Sequence, residues 1–151
     1  MKRPQPRPYV AVCGAGEAGE SERALAAELG RLLAEAGAVV LCGGLDGVMA
    51  AVSEGASEAG GTVVGLLPGV TREAANPHLT LAIPTGLGQA RNAVLTTAAD
   101  AVIAVGGGWG TLSEIGFAKR LGRRVVGLAS WPVDGLEVAA TPAEAVRLAL
   151  G

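Results

Sequence analysis

Three glycine-rich runs carry the most specific chemistry in the sequence: Gly14-Ala15-Gly16-Glu17-Ala18-Gly19, Cys42-Gly43-Gly44-Leu45-Asp46-Gly47 and Gly106-Gly107-Gly108-Trp109-Gly110-Thr111. Glycine lets backbone N–H groups come close to a ligand, and a helix opening at such a run adds partial positive charge, so a phosphate is the natural occupant. A strand-to-helix turn also uses glycine for its own backbone, but three such runs in one chain favour the ligand reading. The first run spells GxGxxG, a mark of dinucleotide-binding oxidoreductases. The second run follows Leu41, however, and offers no acidic residue where a ribose would be held.

Two ionisable residues flank these runs. Gln89-Ala90-Arg91-Asn92 opens a helix, where a cation opposes the helix dipole by roughly 0.3–1 kcal/mol unless an anion sits nearby. Arg91 is therefore either a ligand contact or a solvated surface residue. Thr111-Leu112-Ser113-Glu114 reads as a capping box, so Glu114 is either that cap or a carboxylate aimed at the ligand edge. Trp109 is placed to stack on a base, to meet another subunit or to lie open on a loop. Asp46 either caps the helix after it or faces the crevice. His78, the single histidine, has no Ser, Cys or second His in a catalytic arrangement and is read as structural. Cys13 and Cys42 are read as core thiols without metal-ligand spacing, and no metal is expected.

The elements that must position these residues alternate. Apolar runs over 9–13, 38–42, 62–67, 79–83, 101–105 and 124–129 read as strands buried on both faces. Helices are expected over 21–36, 47–59, 88–98, 111–121 and 142–150; Leu25, Leu29, Leu32 and Leu33 line one side of the first, and Gly37 ends it. Thr141-Pro142-Ala143-Glu144 opens the last with an N-cap, a first-turn proline and a capping-box glutamate. This alternation predicts an α/β fold: a Rossmann-like, doubly wound parallel sheet of six to seven strands with helices on both faces. Right-handed crossovers then put ligands beyond the carboxyl ends of the strands. The irregular stretch 68–78 falls where the chain crosses to the other half of the sheet.

At 151 residues the chain is the size of one domain, expected over 9–151 behind a flexible, basic, Pro-rich tail at 1–8. The formal charge of −2 gives no footprint for a nucleic-acid backbone. Charges and glycines break the apolar runs before a membrane span is reached, and no signal-type segment follows the tail, so a cytoplasmic location is expected. The helices over 47–59 and 88–98 carry few charges, which predicts a homodimer or homotetramer.

The run from Gly106 to Glu114, with 43–49 (Gly-Gly-Leu-Asp-Gly-Val-Met) and 84–92 (Pro-Thr-Gly-Leu-Gly-Gln-Ala-Arg-Asn), resembles the SLOG superfamily. That group holds the Lonely Guy phosphoribohydrolases, often mislabelled lysine decarboxylases, and the molybdenum-cofactor carriers; the short bacterial branch related to the carriers is the better match. The resemblance implies a phosphate-binding turn at Gly107, Gly108, Gly110 and Thr111; the glycine runs themselves add Gly14, Ala15, Gly16, Gly43 and Gly44 as candidate phosphate contacts. The resemblance also implies catalytic roles for Arg91 and Glu114 in cleaving the N-glycosidic bond of a nucleoside 5′-monophosphate. Carriage of a nucleotide or a molybdopterin-type ligand is the alternative, and no resident cofactor is required. Gly106 replaces the enzymes' proline and Asn92 replaces their lysine, a lost cation that bears on turnover more than on binding. A decarboxylase needs a Schiff-base lysine, and the chain has only Lys2 and Lys119.

Overall fold

The computed structural model describes residues 6–151. Seven parallel strands form one sheet in the order β4-β3-β2-β1-β5-β6-β7: β1 (Tyr9–Gly14), β2 (Val39–Cys42), β3 (Thr62–Leu67), β4 (Leu81–Pro84), β5 (Ala101–Val105), β6 (Arg124–Leu128) and β7 (Glu137–Ala139). The helices are α1 (Glu20–Glu35), α2 (Val48–Glu58), α3 (Arg91–Ala98), α4 (Trp109–Arg120) and α5 (Pro142–Leu150). Strands β2 to β4 step away from β1 on one side and β5 to β7 on the other. Right-handed crossovers of opposite direction therefore place α1 and α2 on one face and α3 and α4 on the other. This is the doubly wound α/β architecture the sequence predicts.

Period-two alternation sorts the core. Val10 and Val12 pack toward α1, α2 and α5, while Ala11 and Cys13, one residue out of phase, pack toward α3 and α4. Small residues let the first layer close tightly: a Cβ built on Gly55 would stand 1.9 Å from the Ala27 carbonyl oxygen, and one on Gly30 2.2 Å from that of Val52. The α1–α2 contact is thus backbone against backbone, and it brings the two turns that precede these helices close to each other.

Several element ends differ from expectation: the helix expected over 88–98 opens with a 3-10 turn at 88–90 and becomes α-helical only at Arg91. Strand β4 begins at Leu81 rather than residue 79, because Leu79 turns inward to fill the space over Gly65. Helix α4 begins at Trp109, two residues before the Thr111 suggested by a capping box, and Gly108 is its N-cap. β7 is short and mostly exposed, with no apolar run to announce it. At the last helix the expected N-cap forms, the Glu144 amide donating to Thr141 Oγ1 at 3.2 Å, while the Glu144 carboxylate reaches one residue further back than a capping box requires and accepts from the Ala140 amide at 3.0 Å. Of the tail expected over 1–8, residues 1–5, including Lys2, lie outside the described residues. Arg7 near its end donates to the Gly37 carbonyl and to Thr62 Oγ1.

Candidate functional site

The turns after β1, β2 and β5 converge on the carboxyl rim, where strand order reverses between β1 and β5. They enclose a cavity of about 570 Å³ lined by Gly14, Ala15, Gly16, Gly43, Arg91, Gly108, Gly110, Thr111 and Glu114. The first two turns are interlocked. Gly47 has φ +65°, and a Cβ there would lie 2.3 Å from the Ala15 carbonyl oxygen, the same atom that accepts from the Val48 amide at 3.0 Å. Only glycine satisfies both the left-handed backbone and the contact.

Arg91 is the first residue of α3, and it is buried, at 5% exposure, rather than solvated. Its Nε donates to the Leu66 carbonyl at 2.9 Å, one terminal nitrogen reaches Asn92 Oδ1 and the other the Gly43 carbonyl at 3.4 Å. These are neutral acceptors. Among the described residues no ion pair joins Arg91 to a carboxylate within 4.0 Å. Burying a cation without a counter-ion costs several kcal/mol, and an anion in the cavity offsets that cost. Asn92, where the related enzymes carry lysine, orients the arginine and reaches Ser113 Oγ at 3.4 Å, tying α3 to α4.

Glu114 projects from α4 into the same layer. Because α4 starts two residues early, Glu114 stands in the second turn, and the capping bond to Thr111 is replaced by burial against Cys13. Burial raises its pKa from 4.5 to about 7, against the lowering influence of the Cys13 thiol and of Arg91. Cys13 is itself pushed well above the ordinary thiol range, first by burial and then by Glu114. Cys13 is a buried core thiol, as expected, and also borders the cavity. Near neutral pH the Glu114 carboxyl can therefore hold or release a proton in the same cavity as Arg91.

The start of α4 supplies the donors. Gly108 offers no side-chain cap, and the first intrahelical bond runs from Leu112 to the Gly108 carbonyl at 3.0 Å. The amides of Trp109, Gly110 and Thr111 are therefore without helical partners at the positive end of the dipole. Trp109 leaves this turn 80% exposed at the cavity mouth.

Several expected residues fall elsewhere. Gly44 lies behind the second turn against Leu67, and Gly107 packs beside Trp131; neither lines the cavity. Asp46 is exposed and outside the lining, and the cap of α2 is Gly47, with no side-chain bond. His78 sits 3.9 Å from Glu54, away from the cavity, and Lys119 donates to the Gly135 carbonyl at 2.9 Å down α4. Met49, Gln89 and Ser113 line the cavity without having been singled out. All three lie inside the motif segments 43–49, 84–92 and 106–114, but their residue types gave no separate signal of a ligand role. Among the described residues no group of three or more His, Cys, Asp or Glu is arranged for a metal, and no helix is long and apolar enough to cross a membrane.

Known proteins share this fold. A protein from Archaeoglobus fulgidus is 43% identical over 139 residues, covering 91% of each chain. The molybdenum cofactor binding protein of the phototrophic bacterium Rippkaea orientalis superposes with a TM-score of 0.91 at 34% identity, over 96% of each chain. The molybdenum cofactor carrier protein of Chlamydomonas reinhardtii gives 0.88 at 32%, over 97% of this chain and all of that one. The model of the SLOG cluster4 family matches residues 7–148. With the glycine turns, Arg91 and Glu114 gathered at one rim of a doubly wound sheet, the chain belongs to the SLOG cluster4 family.

Proposed function

We propose that this protein is a non-catalytic carrier that binds a phosphorylated pterin-type or nucleotide ligand, molybdenum cofactor being the leading cargo class, with the phosphate in the crevice between β1 and β5. The observation that carries this reading is Arg91: a buried guanidinium held by neutral acceptors, unpaired with any carboxylate among the described residues, beside the uncapped start of α4. The amides of Gly110 and Thr111 and the Arg91 guanidinium supply converging donors for a phosphate monoester. Likeness to the Rippkaea and Chlamydomonas proteins supports a carrier, and so does Asn92, which leaves one cation where a hydrolase of this group has two. Native purification followed by mass spectrometry of the released ligand tests it. A phosphorylated heterocycle is the expected result, and a protein that neither retains nor rebinds one is not a carrier.

Hydrolysis of a nucleoside 5′-monophosphate is the second reading, favoured by a Glu114 pKa of about 7. A carboxylate there would take a proton from water as the hydroxyl adds to the sugar carbon and the bond to the base breaks, and the Glu114 carboxyl so formed would return that proton to the departing base. Incubation with AMP separates the two: free base released by the wild type and not by Glu114→Gln establishes turnover. Self-association completes the proposal. Leu81 and Ile83 on edge strand β4, together with Val94 on the outer side of α3, expose apolar surface that a second copy would cover.

A further inference from the structure

Trp131 lies outside every glycine run, on the connection between β6 and β7. Ala129, just after β6, adopts φ +53°, a left-handed conformation that costs a side-chain-bearing residue of order 1 kcal/mol. The chain reverses there and brings Trp131 back over the phosphate turn. Its indole Nε1–H donates to the Gly108 carbonyl at 3.0 Å, across 23 residues of sequence, and its ring packs on the α3/α4 layer of the core. Trp109 meets it with ring centroids 5.5 Å apart and planes tilted by 35°. One indole is thus anchored and half-buried, while the other leans on it, open to solvent, at the mouth of the cavity.

An aromatic ring left 80% exposed beside a cavity of about 570 Å³ loses apolar hydration when a flat ring covers it. The pair is also unlike the rest of this interior, which holds few aromatics: the chain has two Trp, one Tyr and one Phe, and both tryptophans stand here. We infer that Trp131 is a positioning residue that latches the Gly106–Gly110 turn and holds Trp109 as a stacking face for the flat heteroaromatic part of the ligand. This rests on the phosphate-binding reading above and narrows it to phosphate esters of purine- or pterin-class rings. The phosphate turn and the ring platform share one carbonyl, that of Gly108, so the latch sets the distance at which a ring and its phosphate are read together.

Because Trp109 stands at the cavity and Trp131 packs on it, intrinsic fluorescence reports on the site. Titrations of the full chain with inorganic phosphate, ribose 5-phosphate, AMP and a phosphorylated pterin separate the contributions. AMP or the pterin is expected to quench and to bind about tenfold more tightly than ribose 5-phosphate, a gain of the size stacking supplies. Trp109→Ala, at an exposed position, is expected to lower AMP affinity about tenfold more than ribose 5-phosphate affinity. Trp131→Phe keeps a ring and loses the Gly108 bond, and it should shift the same ratio in the same direction. A purely structural role for Trp131 would weaken both ligands equally and leave the ratio unchanged, which overturns the proposal. Equal wild-type affinity for AMP and ribose 5-phosphate also overturns it and leaves phosphate binding intact. Failure of every phosphate ester to bind removes the underlying function instead. Fluorescence that responds to protein concentration and not to ligand identifies Trp109 as a subunit contact and likewise overturns the stacking role.

Discussion

At the scale of single residues, the site is a buried cation beside a carboxyl that is reluctant to ionise. Arg91→Ala removes the one guanidinium that lines the cavity among the described residues and is expected to weaken phosphate-ester binding by about 10- to 100-fold, the worth of a charge-assisted hydrogen bond. Calorimetric titration measures it, and an unchanged affinity excludes Arg91 from the ligand. Glu114 makes a pH-dependent statement. The folded state holds its proton up to about pH 7, whereas the unfolded chain releases it near 4.5, so folding stability falls as pH rises between those values, by about 3 kcal/mol in all. Glu114→Gln removes that loss. Thermal melts should show the variant more stable than the wild type at pH 8, with the difference vanishing below pH 4.5. A wild type that gains stability over that window contradicts the assigned burial. An ionised Glu114 also repels a dianion, so wild-type affinity for a phosphate ester should decline above pH 7 while that of Glu114→Gln does not.

At the scale of elements, turns rather than helices or strands determine the site. Gly47→Ala places a Cβ against backbone of the neighbouring turn at a left-handed φ, and it should destabilise the protein by about 2 kcal/mol or more. Gly110→Ala meets open space and should leave stability within about 1 kcal/mol of the wild type. Chemical denaturation of both variants compares them, and equal losses would mean the turns are not interlocked. Strands β1, β2, β3, β5 and β6 were legible because largely buried apolar runs need no partner to be recognised, whereas β4, expected to be buried on both faces, is an exposed edge and β7 gave no apolar run; the convergence of three glycine turns followed from their alternation with helices. The start of α4 was misplaced because Thr111 and Glu114 have capping spacing, while tertiary burial of Glu114 against Cys13 decides the outcome. Trp131 was invisible to motif reading: its link to Gly108 depends on the reversal at Ala129, which sequence periodicity does not encode. Arg91 was legible as a candidate, but only its acceptors, supplied by β3 and the second turn, show it buried rather than solvated.

At the scale of the whole molecule, a sheet that winds in two directions from β1 opens a crevice at its carboxyl rim and leaves the β4 edge, with Leu81 and Ile83, uncovered. Ile83→Glu should convert the associated form to monomer in sedimentation velocity; a wild type already monomeric at high concentration refutes the proposed contact. The formal charge of −2 gives the surface no general attraction for anions, so selectivity for a phosphate ester must arise locally, at the rim. The most direct measurement is a crystal structure of the protein grown with AMP or a phosphorylated pterin. The phosphate is expected within hydrogen-bond distance of the Gly110 and Thr111 amides and of the Arg91 guanidinium. A phosphate bound elsewhere on the molecule, or a crevice empty at saturating ligand, would contradict it.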